Sequence, residues 1–388
     1  MTRDAVLITG TTGFVGMELL ARYLERSERP VVALVRAGSD RGARARVDAV
    51  LDNLYGPRAA EYADRVQAFR AELTAPRLGL TERRFQALAR CASTIVHGAA
   101  SVSFTLPLRA AREINADGTR RVLELAERAA ASGSLDRYAH ISTAYVAGTH
   151  AGRFFESDLD VGQSFHNTYE QSKYEAEQLV RSSGVPFTIL RPSIVVGDRT
   201  SGWTAAFNVL YWPLKALARG LFEAVPASPS TPVDVVSIDY VADAIHALCE
   251  SSGGLGATYH LTAGAQASTL GEIVSIASRY FRKPSPRMLS AAEFARVEAG
   301  CASPLALEGG RAYFPYFTVA TRFDDAQARS VLEPAGISVS PLRDYLGRLL
   351  DFATRSRWGK RPIARSEAMA PHPGGYGRPP LALPGAAP

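Results

Sequence analysis

With 388 residues, 46% of them hydrophobic and 21% charged, the chain is large and apolar enough to fold around its own core, which excludes a disordered, collagenous or disulfide-stapled protein. The formal charge of +6 would suit a nucleic-acid partner, but Phe352 to Pro388 carries six basic residues against Glu367, leaving the body nearly neutral, so none is expected. Cys91, Cys249 and Cys301 are odd in number, far apart and outside any C-x-x-C spacing, which points away from disulfides and zinc and toward a reducing, cytoplasmic setting.

No apolar run approaches the roughly 18 residues of a bilayer span, and the N-terminus passes directly into a strand-like run, so neither a transmembrane nor a targeting segment is expected. From Ala5 onward, short β-branched runs alternate with longer helical stretches. The strands are expected at Ala5 to Thr9, Val31 to Val35, Arg65 to Arg70, Thr94 to His97, Arg137 to Ser142 and Phe187 to Leu190. Amphipathic helices fall between them at 14–26, 39–53, 81–90, 107–132 and 168–183. This alternation predicts an α/β protein, a Rossmann-type doubly wound parallel sheet whose ligands sit at the carboxyl ends of the strands.

After Arg191 the alternation loosens. An aromatic and apolar segment, Trp203 to Phe222, precedes a further strand-helix pair at Val233 to Ser237 and Asp239 to Cys249, with Asp239 as the expected N-cap. The predicted organisation is a dinucleotide-binding domain over 1–200, with 230–265 returning to the sheet. A smaller, mostly helical substrate lobe is drawn from 201–229 and 266–351, followed by a disordered basic Pro- and Gly-rich tail over 352–388.

Between the first strand and first helix stands Thr9-Gly10-Thr11-Thr12-Gly13-Phe14-Val15-Gly16. Glycines at this spacing allow a tight turn and a close backbone approach to a pyrophosphate, with the helix N-terminus donating to the anion; Gly10, Thr12, Gly13, Phe14, Val15 and Gly16 are the expected contacts. The second strand ends at Arg36, where an NAD enzyme would often place a carboxylate; a guanidinium there suits the 2′-phosphate of NADP. Arg41, Arg44 and Arg46 either assist or are solvated helix charges. Glu72 and Leu73 are placed at the adenine, and the small residues Gly98, Ala99 and Ala100 let the dinucleotide lie close to the chain. His97 reads as a packed strand-end histidine rather than a catalytic one.

Tyr169-Glu170-Gln171-Ser172-Lys173 sets a phenol and an ammonium four residues apart, on one face of a helix. An ammonium beside a phenol lowers its pKa, so that a positioned tyrosine can exchange a proton with a carbonyl oxygen. Lysine is scarce in this chain, four against forty arginines, which sharpens the pairing. Ser142 or Thr143, at the end of the fifth strand, offers a hydroxyl to the same oxygen.

These segments, together with Ser-Thr-Ala-Tyr-Val-Ala-Gly at 142–148 and Leu-Arg-Pro-Ser-Ile-Val-Val-Gly-Asp at 190–198, resemble the extended short-chain dehydrogenase/reductases. The narrower resemblance is to the thioester reductase and fatty acyl-CoA reductase branch, which includes the reductase domains of carboxylic acid reductases and of nonribosomal peptide and polyketide synthetases. It rests on Leu-Val-Arg-Ala after the second strand, Pro-Arg-Leu-Gly-Leu at 76–80, Asn-x-x-Tyr-Glu-Gln-Ser-Lys ending at Lys173, and Gly-Asp-x-x-x-Gly-Trp at 197–203, and covers roughly residues 4–250.

The resemblance implies NADP(H) as cofactor and catalysis by Thr143, Tyr169 and Lys173. Thr143 would bond the substrate carbonyl, Tyr169 would donate the proton, and Lys173 would hold the nicotinamide ribose while lowering the phenol. It further implies cofactor contacts at Asn115, Pro192 and Ser193. Ala71-Glu72-Leu73 departs from the family's usual Gly-Asp-Leu. The implied reaction is reduction of an acyl thioester to an aldehyde, or onward to the alcohol, with the acyl group on a carrier-protein phosphopantetheine or coenzyme A. Rival readings are a nucleotide-sugar epimerase or dehydratase, another extended-family carbonyl reductase, and a non-catalytic NADP-binding scaffold. The stripe from Trp203 to Phe222 walls an acyl channel or simply packs a core.

Overall fold

The structure, a computed structural model, describes residues 4–290, 292–294, 296, 316 and 319–370. Seven parallel strands form its centre: β1 (Ala5–Thr9), β2 (Val31–Val35), β3 (Val66–Arg70), β4 (Ala92–His97), β5 (Arg137–Ile141), β6 (Phe187–Pro192) and β7 (Thr258–Leu261). Their order across the sheet is β7-β6-β5-β4-β1-β2-β3. The direction of winding therefore reverses at β1, which pairs Thr9 with Leu34 of β2 on one side and with His97 of β4 on the other. That reversal opens a crevice at the carboxyl ends of β1 and β4, where such sheets bind ligands.

β1 and β2 are buried at every position, as expected of all-apolar runs covered on both faces. One face is covered by α1 (Phe14–Arg26), α2 (Asp40–Tyr55) and α7 (Ile238–Glu250), the other by α3 (Glu82–Cys91), α4 (Leu108–Ala131) and α5 (Thr168–Ser182). β7 lies within the stretch expected to return to the sheet. Val235–Ser237, by contrast, pairs with Ile194–Val196 in a separate two-stranded ribbon. Asp239 is not the helix cap: Ser237 holds that position, and Asp239 instead accepts from the Arg199 amide and pairs with its guanidinium at 2.8 Å.

The lobe is built from α6 (Tyr211–Ala218), α8 (Leu270–Phe281) and α10 (Leu346–Arg355), which share a core of Leu214, Leu217, Ile273, Leu346, Leu349 and Leu350. Thr269 and Glu272 form a reciprocal capping box that starts α8. The lobe's outer limits differ from expectation. Residues 321–323 pair with Gly152–Phe154, and α9 (Ala326–Leu332) packs Ala328 and Leu332 into the sheet's own core. The cause is Glu156, whose carboxylate accepts from the amides of Gln327 and Ala328 and so fixes the start of that helix beside the sheet.

The expected disordered tail also requires correction over its first half. Residues 352–355 complete α10, and α11 (Arg365–Met369) returns to the nucleotide-binding domain. There Arg365 pairs with the buried Glu18 at 2.6 Å, and the Ile363 carbonyl accepts from the Trp203 indole at 3.1 Å. The basic, Pro- and Gly-rich composition of the whole segment masks Ile363 and Ala368, which are buried. Residues 371–388 lie outside the described residues. Cys91 and Cys249 are buried, and Cys301 lies outside the described residues. No helix among the described residues is long and apolar enough to cross a membrane.

Candidate active site

At the switch point lies a cleft of about 230 Å³. It brings together Gly10, Thr12, Gly13, Arg36, Arg46, Glu72, Leu73, Ala99 and Ala100. Gly10 takes φ +86°, and a Cβ there would sit 2.8 Å from the Ala99 amide nitrogen; a Cβ on Gly16 would meet the Gly10 carbonyl oxygen at 2.0 Å. Both glycines are required by the closeness of the turn to its own helix and to β4. Gly13 precedes α1 with no side chain capping it, so the first amides of the helix remain available to an anion.

Arg46 donates to the Arg36 carbonyl and, at 3.1 Å, to the Thr12 hydroxyl, which draws both guanidinium-bearing residues to the mouth of the cleft beside the glycine turn. No carboxylate stands at the end of β2, where Leu34 and Val35 run into Arg36. These features suit a dinucleotide pyrophosphate, with a further phosphate near the arginines. Arg44 is engaged elsewhere, with Asp48 and the carbonyls of Ala63 and Val66.

Thr9, Leu34, Val35, Ala71 and Leu78 complete the lining without having been expected, and Gly98 joins Ala99 and Ala100 there as its small size implied. Four of them are strand-end positions that the sheet reversal itself would have indicated. Leu78 gave no signal: it enters through a turn in which Arg77 and Leu78 both take positive φ, 49° and 58°. Phe14, Val15, Gly16, Asn115, Tyr169, Lys173, Pro192 and Ser193 do not line the cleft. Phe14 packs 5.8 Å from the Trp203 ring. Asn115 is wholly engaged: its amide donates to the Ser101 carbonyl and the Ser172 hydroxyl while its oxygen accepts from the Ser101 amide, so it fastens the loop after β4 to α5.

The side chains expected to handle the proton gather at the carboxyl end of β5. Thr143 follows that strand and caps a short turn by accepting from the Tyr145 amide. Asn167 caps α5 by accepting from the Glu170 amide, which fixes Tyr169 in the helix's first turn and Lys173 one turn later. Burial pushes the Tyr169 phenol up to about 12, against the pull of its hydrogen bond with Thr143. Thr143, not Ser142, is thus the hydroxyl that meets Tyr169.

Lys173 does not act on the phenol as expected. Its ammonium donates to the Ile141 carbonyl at 2.8 Å and lies 3.3 Å from His140 Nε2, and burial brings its pKa down to about 8. At Tyr169 desolvation and the nearby Glu170 charge both favour the neutral form and outweigh the Thr143 hydrogen bond, which leaves a protonated phenol at neutral pH. His97 bridges the hydroxyls of Thr9 and Thr119, and burial holds it neutral at about 3, as a packed strand-end residue.

Beside Tyr169 lies a cluster the sequence did not announce. Glu170 is fully buried and accepts from the Tyr316 hydroxyl at 2.5 Å and from both the amide and Nδ1 of His166. Tyr316 accepts in turn from Asn167, and its ring lies 5.5 Å from Phe104, itself 5.9 Å from Tyr169. Glu170 sits in the conspicuous Tyr-Glu-Gln-Ser-Lys run but reads there as an ordinary helix-surface charge.

A doubly wound sheet with a dinucleotide cleft at its switch point and a threonine, tyrosine and lysine at the end of β5 defines an extended short-chain dehydrogenase/reductase fold. Within that class the chain belongs to the male sterility protein family of NAD-binding domains, which matches it over residues 8–245. It is 34% identical over 245 residues to the isonitrile lipopeptide synthase of Streptomyces coeruleorubidus and 30% identical over 287 residues to the carboxylic acid reductase of Mycobacterium marinum. These alignments take in 61% and 66% of this chain but only 16% and 24% of those proteins. Among solved structures, the terminal R domain from the myxalamid PKS-NRPS biosynthetic pathway superimposes with a TM-score of 0.79 at 26% identity, over 94% of this chain and 93% of that one. The UDP-glucuronic acid 4-epimerase of Bacillus cereus, solved with NAD, shares the fold at a TM-score of 0.64 and 19% identity, over 93% and 100% of the two chains.

Proposed function

We propose that the chain is an NADPH-dependent reductase of acyl thioesters, producing an aldehyde and a free thiol from an acyl group carried on a protein-bound phosphopantetheine arm or on coenzyme A. The observation that carries this reading is the Thr143–Tyr169 hydroxyl pair at the carboxyl end of the sheet, together with a cleft where Arg36, with Arg46 beside it, rather than a carboxylate stands at the end of β2. The likeness to the myxalamid R domain and to a carboxylic acid reductase supports it. An epimerase of the same fold is disfavoured by Arg36.

NADPH, when bound, supplies a hydride to the thioester carbonyl carbon. Tyr169, held protonated by burial, donates a hydrogen bond and then its proton to the carbonyl oxygen, while the Thr143 hydroxyl stabilises the charge developing there. Collapse of the resulting hemithioacetal breaks the carbon–sulfur bond; the hydroxyl proton leaves with the thiol and the carbonyl re-forms as an aldehyde. Lys173, on the same helix face one turn on, is assigned to the nicotinamide ribose. Asn115 acts at one remove, by holding Ser101 and Ser172 in place.

The test is NADPH oxidation by the purified protein with acyl-coenzyme A and acyl-carrier thioesters, products identified by mass spectrometry. Thioester-dependent turnover is expected, falling by about 10²–10⁴-fold in Tyr169→Phe while NADPH binding persists. Absence of turnover with every thioester, alongside NAD retained through purification, would overturn the reading in favour of a sugar-nucleotide enzyme.

A further inference from the structure

Outside the dinucleotide cleft, the lobe encloses a second cavity of about 60 Å³. Its wall is drawn from separate stretches of chain that include Ile194, Leu214, Leu217, Ile273 and Val274. Among the described residues its lining side chains are all apolar except for Tyr316, whose hydroxyl is already committed to Glu170 and Asn167. The wall therefore offers no free side-chain hydrogen-bonding group to an occupant.

The cavity adjoins the reacting centre on two sides. Ile194 follows directly on Pro192 and Ser193 at the end of β6. On the other side the Tyr316 ring stands 5.5 Å from Phe104, and Phe104 stands 5.9 Å from Tyr169, so an aromatic surface runs from the proton donor to the cavity. Tyr145 meets Tyr316 edge-on at 5.2 Å and extends that surface. Tyr169 and the cavity thus stand at the two ends of one run of aromatic rings.

We propose that this cavity selects the acyl group, so that the substrate is an aliphatic acyl thioester with an unfunctionalised end rather than an aminoacyl, hydroxyacyl or dicarboxylic one. The inference rests on the thioester-reductase reading and narrows it. At about 25 Å³ per carbon, the ratio of an apolar cavity of about 150 Å³ to the benzene it binds, the cavity holds on the order of two to three terminal carbons. Each methylene transferred from water into it contributes about fourfold in binding, so selectivity rises with chain length until the cavity is full. A terminal hydroxyl buried there would lack a partner and lose tenfold or more.

Two parallel series test this. The first is kcat/KM with NADPH for straight-chain acyl-pantetheine thioesters from acetyl to dodecanoyl, plus the ω-hydroxy form of the best chain. The second is calorimetric binding of the corresponding acyl-pantetheine amides, which cannot undergo the reaction and so read the cavity independently of turnover. Both series are expected to climb about fourfold per methylene over the roughly two to three carbons that fill the cavity and then level. Ile273→Phe and Leu214→Phe, which fill the cavity from two different helices, are each expected to shorten the preferred chain by one or two carbons in both series. A flat chain-length profile in the amides, or equal use of the ω-hydroxy acyl group, would overturn the inference even with turnover intact. A climbing amide series with no thioester reduced would instead overturn the reductase reading and leave the acyl site standing.

Discussion

The nucleotide-binding half and the lobe are both built around a cavity, yet they make it by opposite means. The cofactor cleft is formed largely by backbone: a turn in which a Cβ on Gly16 would strike Gly10, an uncapped helix start, and strand ends meeting at the reversal of the sheet. The lobe cavity is formed by side chains from distant segments, held by tight apolar packing and joined to α5 through Tyr316, which donates to Glu170. A site made of backbone tolerates little variation and presents one invariant shape, suited to a cofactor. A site made of side chains can be resized one residue at a time, which suits a substrate.

The sharpest way to break that comparison is to attack the few side chains on which the cofactor cleft does depend. Arg36 and Arg46 stand at its mouth, joined through the Arg36 carbonyl and Thr12. In Arg36→Ala/Arg46→Ala, NADPH affinity is expected to fall by about ten- to a hundredfold, the range of a lost charge-assisted hydrogen bond or two, while NADH affinity changes little. Fluorescence titration with the two cofactors reads the difference. Equal loss of both would mean that the arginines shape the turn rather than meet a 2′-phosphate.

The same contrast explains what was legible in the sequence. The glycine turn, the alternating strands and Arg36 are contiguous signals, and their positions follow from chain geometry alone. Leu78 enters the cleft through two left-handed residues that no periodicity reveals. Within the stripe from Trp203 to Phe222, Leu210, Leu214, Leu217 and Phe222 line the lobe cavity, whereas Trp203 joins the sheet's core and the Tyr211 hydroxyl accepts from the Gly197 amide. Tyr-x-x-x-Lys was readable as a pair, but its electrostatics were not. Whether the ammonium or burial governs the phenol depends on where Nζ points, and it points at the Ile141 carbonyl. Glu170 and Tyr316 are 146 residues apart and meet only in the folded chain.

That meeting gives a second, smaller test, directed at the junction of the two halves. Tyr316→Phe keeps the ring against Phe104 and the cavity but removes the hydroxyl from a buried carboxyl group that retains its two bonds from His166. The expected cost is about 1.5–3 kcal/mol in denaturant unfolding, the worth of a hydrogen bond to a charged group. Because the cavity wall keeps its apolar character, the chain-length profile should stay as it is. If the profile collapsed along with stability, the hydroxyl would be orienting the acyl group rather than joining the two regions.

The smallest expected effect belongs to His166, on the other side of Glu170. Its hydrogen bond with that carboxylate raises its pKa above the ordinary 6.5, and partial burial opposes the rise. A histidine that is more basic in the folded than in the unfolded protein stabilises the fold while both forms are protonated, so its contribution is complete below about pH 6.5 and fades as pH climbs through the raised value. In His166→Gln that contribution is absent at every pH. The stability gap between the two proteins, followed by thermal unfolding from pH 5.5 to 8.5, is therefore expected to be widest at the acid end and to narrow toward the alkaline end. A gap that widened with pH instead would mean that neutral His166, not its charged form, is the partner of the buried Glu170.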